Sequence, residues 1–232
     1  MAPKDNFKKI KQGHNKSNRQ ATIRCMKIHL KHSRVSTENI MKLTEKDKSD
    51  LIFIKEPYLH QNRMAGITKS HRNYISLEDK CRADIIITNN NINAVLIKQL
   101  SNPDSVLSES TYNNNRFFVA SMYFDITEEK EREMDKTKEI LEVTKGNGIV
   151  IAVESNSRWT AWHDNLTNQR GKIPEEYIIG KNLCIMNVEI EMTTFQNRGG
   201  NSNIVLTIVN NQLLKTLKNW KISEEESCSD QK

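Results

Sequence analysis

Five apolar residues in a row, Ile149 to Val153, stop on a carboxylate, Glu154, and an amide, Asn156, follows two positions later. A run of this length and β-branched content reads as a buried strand. Gly146-Asn147-Gly148 punctuates the chain just before it. An acid and an amide at the C-terminal end of a buried strand constrain the chain towards an α/β protein, where the loops leaving strand ends carry polar groups on a rigid scaffold. Trp159, Trp162, His163, Asp164 and Arg170 crowd the positions that follow.

The remainder of the chain supplies partners for such a strand. Ile23 to Leu30 alternates well enough for a strand with one slip. Ser36-Thr37 predicts a helix N-cap, with Ile40, Met41 and Leu43 as the apolar stripe. Leu51 to Ile54 reads as a second buried strand running into Lys55-Glu56-Pro57-Tyr58. Arg82 to Thr88 and Ala94 to Leu100 flank Asn89-Asn90-Asn91, a turn-forming cluster, and predict a hairpin. Arg116 to Phe124 is a further strand. Thr127 predicts the cap of a helix with acids at its start and lysines toward its end, as the helix dipole favours. Pro174 opens a second, short helix. Residues 183–187, 193–195 and 203–209 read as strands, and Trp220 and Ile222 begin one more. Strands with occasional helices and no repeat indicate two sheets face to face with helices outside.

The charge is unevenly placed. Residues 1–34 hold ten Lys or Arg against one acid, Asp5, and the rest of the chain holds 25 basic and 28 acidic residues. The net charge of +6 is therefore a property of the N-terminal end. Residues 1–22, poor in apolar side chains, read as a disordered basic arm, with 23–232 as one domain. Such an arm suits nucleic acid, or is simply a solvated tail. The chain has no apolar run long enough to span a membrane, and no apolar stretch after its first lysines to serve as a secretory leader. Cys25, Cys81, Cys184 and Cys228 are scattered without a C-x-x-C pair, which reads as isolated reduced thiols of an intracellular protein.

Several strand ends carry a polar group: Glu56, Tyr123 with Asp125, Glu154 with Asn156, and, near the C-terminus, Asp230. Carboxylates converging at one mouth would bind a hard divalent cation such as Mg2+. That cation could polarise a phosphodiester and stabilise its leaving oxygen.

The segments FIKEPYLHQNRMAGIT (53–68), HRNYIS (71–76), CRADIII (81–87), ASMYFDI (120–126), ESNSRWTAWHDNLTNQRGK (154–172), TTFQNRGGNSNIVLTI (193–208) and WKISEEESCSDQ (220–231) occur in order. Through them the chain resembles the endonuclease domain of arthropod non-LTR retrotransposons, a branch of the endonuclease/exonuclease/phosphatase superfamily that includes the apurinic/apyrimidinic endonucleases. The resemblance implies an α/β four-layer sandwich of two packed mixed β-sheets flanked by helices. It also implies Mg2+-dependent nicking of double-stranded DNA, with Mn2+ as a substitute, to free a 3′ hydroxyl that primes reverse transcription. A downstream reverse transcriptase domain and a nuclear location are its further implications. Carried over by motif, Glu56 resembles the metal-binding glutamate, Tyr123 the residue that contacts the scissile phosphate, and Asn156 the amide that orients nucleophile and phosphate. Asp230 resembles the Asp beside the catalytic His.

The chemistry-bearing positions also show departures. Glu154 stands where the family usually has Asp, one methylene further out. Lys31 is taken as the counterpart of the family's Asn at the end of the first strand. Val205 stands for an Asp that orients the catalytic His, and Gln231 stands for that His. Gln has no titratable proton, and loss of acid–base help is worth about 10²–10⁴ in rate. Val205 and Gln231 replace groups that would have bonded to each other, so together they read as decay of a unit. The chain ends one residue beyond Gln231, where family members continue into a final strand, so the resemblance implies that this C-terminal strand is missing. Arg158, Trp159, Arg170 and Arg198 are the candidate DNA contacts. Trp159 reads as a base-stacking or groove-inserting side chain, or as a packed loop aromatic; the arginines read as phosphate contacts or as surface charge. Packing and a local hydrogen bond account for Trp162, His163 and Asp164.

Overall fold

In the computed structural model, the residues described are 22–61, 63–68, 70–76, 78, 80–171, 178, 180–188, 193–197 and 200–222. Two sheets carry the fold. The first has β1 (Cys25–His29), β2 (Leu51–Lys55), β5 (Arg72–Ile75) and β6 (Ala83–Ile87), in the order β1-β2-β6-β5. The second has β7 (Asn93–Leu96), β8 (Ser105–Tyr112), β9 (Asn115–Tyr123), β10 (Gly148–Glu154), β11 (Leu183–Ile185) and β14 (Val205–Asn210), in the order β11-β14-β10-β9-β8-β7. Two small ribbons, β3 (Leu59–His60) with β4 (Arg63–Met64) and β12 (Phe195–Asn197) with β13 (Gly200–Ser202), decorate them. Both large sheets are mixed: β1 runs parallel to β2 and β9 parallel to β10, whereas β6 and β14 run antiparallel to their neighbours.

The period of two along each strand sorts the core into three layers of contact. Leu51, Phe53, Ala83, Ile85 and Ile87 of the first sheet pack against Val106, Val119, Val150, Ala152 and Val209 of the second. The alternate residues Ile52, Ile54 and Ile86 pack with Leu30, Ile40 and Met41, under helix α1 (Arg34–Asp47). On the far side, Phe118, Ala120, Met122, Ile149, Ile151 and Val153 pack with Ile140 of helix α2 (Lys130–Val143). Helix, sheet, sheet, helix is the four-layer arrangement expected from the sequence.

Five local expectations differ. Helix α1 is capped by Ser33, whose hydroxyl accepts from the Ser36 amide at 3.2 Å; Ser36 and Thr37 lie inside the first turn and are buried. Thr127 does not cap α2. It closes a turn on Asp125, and Glu129 is the residue before the helix. The strand expected from Thr193 starts at Phe195. Trp220 to Ile222 is not a strand; the Trp220 indole instead donates to Thr207 Oγ1 at 3.1 Å. Most consequentially, β6 and β7 do not form a hairpin. Asn89–Asn91 does turn the chain, with the Asn89 side chain accepting from the Asn91 amide, but β7 crosses to the edge of the other sheet and pairs with β8. A turn sequence dictates that the chain reverses, not which sheet receives it. The helix expected at Pro174 and the shortened C-terminal end fall on 172–177 and 223–232, outside the described residues.

A candidate active site at the sheet mouth

The same period of two that builds the core places polar groups at one end of it. On β2, Leu51 and Phe53 face the second sheet, and so therefore does Lys55. On β10, Val150 and Ala152 face the first sheet, and so does Glu154. Lys27 and His29 on β1, Ser121 and Tyr123 on β9, and Val205 and Thr207 on β14 lie on these inner faces by the same count. The apolar interior therefore gives way to a polar mouth where these strands end.

Glu56 follows β2 directly and holds a left-handed backbone, φ 47. Lys31, His32 and Asn156, at the ends of β1 and β10, share that conformation, with φ 50, 52 and 45. A non-glycine residue in this region costs on the order of 1–3 kcal/mol, and such residues gather where geometry serves a site. The surrounding hydrogen bonds over-determine them. His32 N donates to Glu56 O at 2.7 Å and Glu56 N to Arg82 O at 2.9 Å, while Phe124 N donates to Glu154 O and Asn156 Nδ2 to Phe124 O, both at 2.9 Å. The hydroxyl of Thr37 in α1 accepts from Tyr58 N at 3.0 Å and pins the loop after Glu56.

These elements bring Glu56, Tyr123, Glu154 and Asn156 together. The Tyr123 hydroxyl interacts with both the Glu56 carboxylate and the Asn156 amide; burial and the two glutamates push its ionisation up. Glu154 is 1% exposed. Burial raises its carboxyl, opposed by His29, Lys55 and Lys27. Burial would also raise Glu56, but the hydrogen bond from His29 and the proximity of His32 outweigh it and hold Glu56 below the usual carboxylate range.

The first strand supplies a correction. Its last residue is His29, paired in register with Lys55, and Lys31 lies two residues further on, in the turn. Lys31 is therefore not the strand-end side chain; His29 is. Its Nε2 lies 2.7 Å from Glu56 Oε2, and its Nδ1 lies 3.3 Å from Glu154 Oε1 without hydrogen-bond alignment. The signal was present in the sequence: Lys27 and His29 alternate with Met26, Ile28 and Leu30, so both belong to the inner face of the strand.

Two lysines lie beside this pair of carboxylates. Lys55 is fully buried and its Nζ donates to Ser121 Oγ at 2.6 Å and to Ala152 O at 3.0 Å. Burial lowers its basicity well below normal, with Glu154 opposing. Lys27 Nζ donates to Thr207 Oγ1 at 3.3 Å, and burial pulls it down to about 7, again against Glu154. Arg82, just before β6, lies over the Tyr123 ring at 4.7 Å, holds Asp104 through two bonds of 2.6 and 2.7 Å, and reaches Asp125. Neither the two lysines nor Arg82 is marked as a site group by the sequence, because which strands lie beside them is a long-range property.

Mg2+ prefers near-octahedral oxygen ligands and keeps several waters. Among the described residues the donors do not fit it as arranged. Glu56 Oε2 is taken by His29, and His32 Nε2 lies 3.8 Å from Oε1. Among the described residues no group of three or more His, Cys, Asp or Glu is placed to hold a metal ion. Glu154 Oε2 is buried and without a hydrogen-bond partner.

The loop after β10 is built by internal bonds. Arg158 Nε donates to Asp164 Oδ1 at 2.8 Å and its Nη2 to Asn201 O at 3.0 Å; Asp164 Oδ2 accepts from Asn203 N at 2.8 Å. Arg170 donates to the carbonyls of Asp125, at 2.7 Å, and Glu128, at 3.0 Å, and approaches Glu133 at 3.3 Å. Both guanidinium groups thus shape the loop. Trp159 is half-buried, edge-on to the buried Trp162 at 5.1 Å. Val205 is buried directly opposite Glu154 in the β10–β14 register. Asp230, Gln231 and Arg198 lie outside the described residues.

Residues 117–231 match the sequence family described as endonuclease-reverse transcriptase. Among solved structures, the fold is similar to the endonuclease domain of TRAS1, a telomere-specific non-LTR retrotransposon, with a TM-score of 0.78 at 18% identity over 88% of this chain and 92% of that one. An endonuclease/exonuclease/phosphatase family protein from Bacteroides thetaiotaomicron aligns with a TM-score of 0.58 at 11% identity, over 81% and 80% of the two chains. A humanized D. rerio TDP2 gives 0.57 at 7% identity, over 80% and 82%. No curated protein matches the chain.

Proposed function

We propose, from the match of residues 117–231 to the endonuclease-reverse transcriptase family and the fold shared with a retrotransposon endonuclease domain, that the ancestral chemistry of this chain is Mg2+-dependent nicking of double-stranded DNA to prime reverse transcription, and that hydrolysis by this chain is weak or lost. The observation that carries the reading is the make-up of the mouth. Glu56, Tyr123, Glu154 and Asn156 meet there, but the side chain facing Glu154 from β14 is Val205.

Phosphodiester hydrolysis needs a proton acceptor for the attacking water and a stabilised leaving oxygen. Val205 offers no acceptor with which to orient a catalytic imidazole, and Gln231 has no proton to exchange. Glu154 reaches one methylene further than the aspartate it replaces, and a misplacement of about 1 Å can cost on the order of 10²-fold. In this reading the domain keeps a DNA-facing surface. We assign base or groove contact to Trp159, on the loop that Arg158 and Arg170 shape, and phosphate contact to Arg198. A reverse transcriptase domain is the natural partner of such a domain, and the nucleus is its place of action.

The test is nicking of supercoiled plasmid with Mg2+ or Mn2+. The expected rate does not exceed that of Glu56→Ala. Efficient nicking that disappears in Glu56→Ala overturns the reading.

The charge distribution favours a second reading, a non-catalytic DNA-binding module that uses the basic N-terminal arm. Deleting residues 1–22 should then weaken DNA binding and flatten its dependence on salt, since each neutralised phosphate steepens that dependence. Unchanged binding removes the arm from the argument.

A further inference from the structure

Glu56 and Glu154 reach the mouth from different sheets, and two carboxylates facing each other in a largely buried site need something between them. In this chain that place is filled by His29. Its ring nitrogens face Glu56 Oε2 at 2.7 Å and Glu154 Oε1 at 3.3 Å. The ring is held there by the backbone: His29 ends β1 in register with Lys55, and the next residue is clamped by Leu30 N donating to Lys55 O at 2.9 Å. Lys27 and Lys55 bring two amino groups within electrostatic reach of Glu154.

We infer that His29 is the resident neighbour of the Glu56–Glu154 pair, filling the space between them and the approach to Glu56 Oε2 that a divalent ion would require, so that this mouth takes up no Mg2+ or Mn2+ at millimolar concentration. A Mg2+ ion must sit about 2.0–2.1 Å from each coordinating oxygen. A ring nitrogen 2.7 Å from Glu56 Oε2 already occupies that approach, and the same ring fills the path between the two carboxylates. The inference deepens the proposed function and rests on the same mouth, but it concerns metal uptake rather than hydrolysis.

The experiment compares thermal unfolding of the full chain in EDTA with unfolding in millimolar Mg2+ or Mn2+, and follows Mn2+ binding through the electron spin resonance signal of the free ion. For the unaltered chain the expected Tm change is under about 1 °C and the free Mn2+ signal is undiminished. An ion at about 100 times its dissociation constant raises the Tm of a domain this size by roughly 5–10 °C. His29→Asn, which withdraws the ring, should acquire a shift of that size and a binding isotherm. His29→Gln serves if the Asn variant does not fold.

Metal binding by the unaltered chain that Glu56→Gln removes would overturn the inference. So would binding that His29→Asn abolishes, since the ring would then be a ligand, and so would variants at His29 that fold yet gain no metal response. Efficient nicking by a chain that binds no metal would sink the proposed loss of activity and leave this inference standing; metal binding without nicking would do the reverse.

Discussion

Gly171 closes the loop that follows β10, and replacing it with alanine tests the packing of that loop. A Cβ built there would lie 2.0 Å from Arg158 O, 2.8 Å from Arg158 C and 3.1 Å from Trp159 Cβ. Ordinary contact begins near 3.4 Å, so the backbone at Arg158 must retreat by roughly 1 Å or more. That carbonyl already accepts from Asn168 N at 2.9 Å, and Asn168 Oδ1 in turn accepts from Gly171 N at 2.9 Å and Arg158 N at 3.1 Å. Overpacking of this kind costs about 1–3 kcal/mol, and one backbone hydrogen bond about 1 kcal/mol more. Gly171→Ala should therefore destabilise the domain by about 2–4 kcal/mol, a fall of roughly 5–15 °C in Tm at about 2–4 °C per kcal/mol. Urea unfolding followed by tryptophan fluorescence measures it, and Trp159 and Trp162 report from the loop itself. A change below about 0.5 kcal/mol would refute the argument, because it would mean that the loop yields at no cost and cannot be the rigid platform for Trp159.

Arg82→Lys keeps a charge but loses the planar fork that holds Asp104 and reaches Asp125; chemical denaturation should show a loss of about 1–3 kcal/mol, and an unaltered midpoint would show that the fork is ornamental. Asp125 titrates in the acid range: burial acts to raise its carboxyl, but bonds from the Thr127 amide, Arg82 and the Thr127 hydroxyl hold it down to about 2 from an ordinary 3.8. A folded-state value below the unfolded one means its contribution is fully present above about pH 4 and lost as pH falls towards about 2. Asp125→Asn should flatten that limb of the stability–pH curve, and an unchanged limb would remove Asp125 as its cause. Val205→Asp with Gln231→His should leave plasmid nicking unchanged while His29 fills the mouth, and the same pair combined with His29→Asn should raise it by on the order of 10²-fold or more; a gain of that size from the pair alone would overturn the exclusion of the metal.

Much of the architecture was legible because its causes are local. Ile149 to Val153 and Leu51 to Ile54 are apolar throughout because each is buried on both faces, between a sheet and a helix. The polar residues immediately after them, Glu154 and Glu56, were identified as a mouth from position alone, and they do meet. The placement of β7 was not legible: Asn89–Asn91 and the strands beside it look the same whether the chain folds back on itself or crosses to the other sheet. The arginine assignments show another limit, since Arg158 and Arg170 find backbone carbonyl partners that lie far away in sequence, at Asn201, Asp125 and Glu128.

By itself the sequence determined that the apolar runs of β2, β6, β9 and β10 are strands, and that acid, amide and tyrosine side chains leave the strand ends together. Those properties follow from hydrophobic runs and a period of two, which need only neighbouring residues. Only the tertiary structure decided what stands between the two glutamates. Whether His29 or Lys31 meets them depends on where β1 stops beside β2, and whether Val205 or a polar group faces Glu154 depends on the β10–β14 register. Register is a long-range property, and a slip of one residue would turn every one of these side chains to the opposite face.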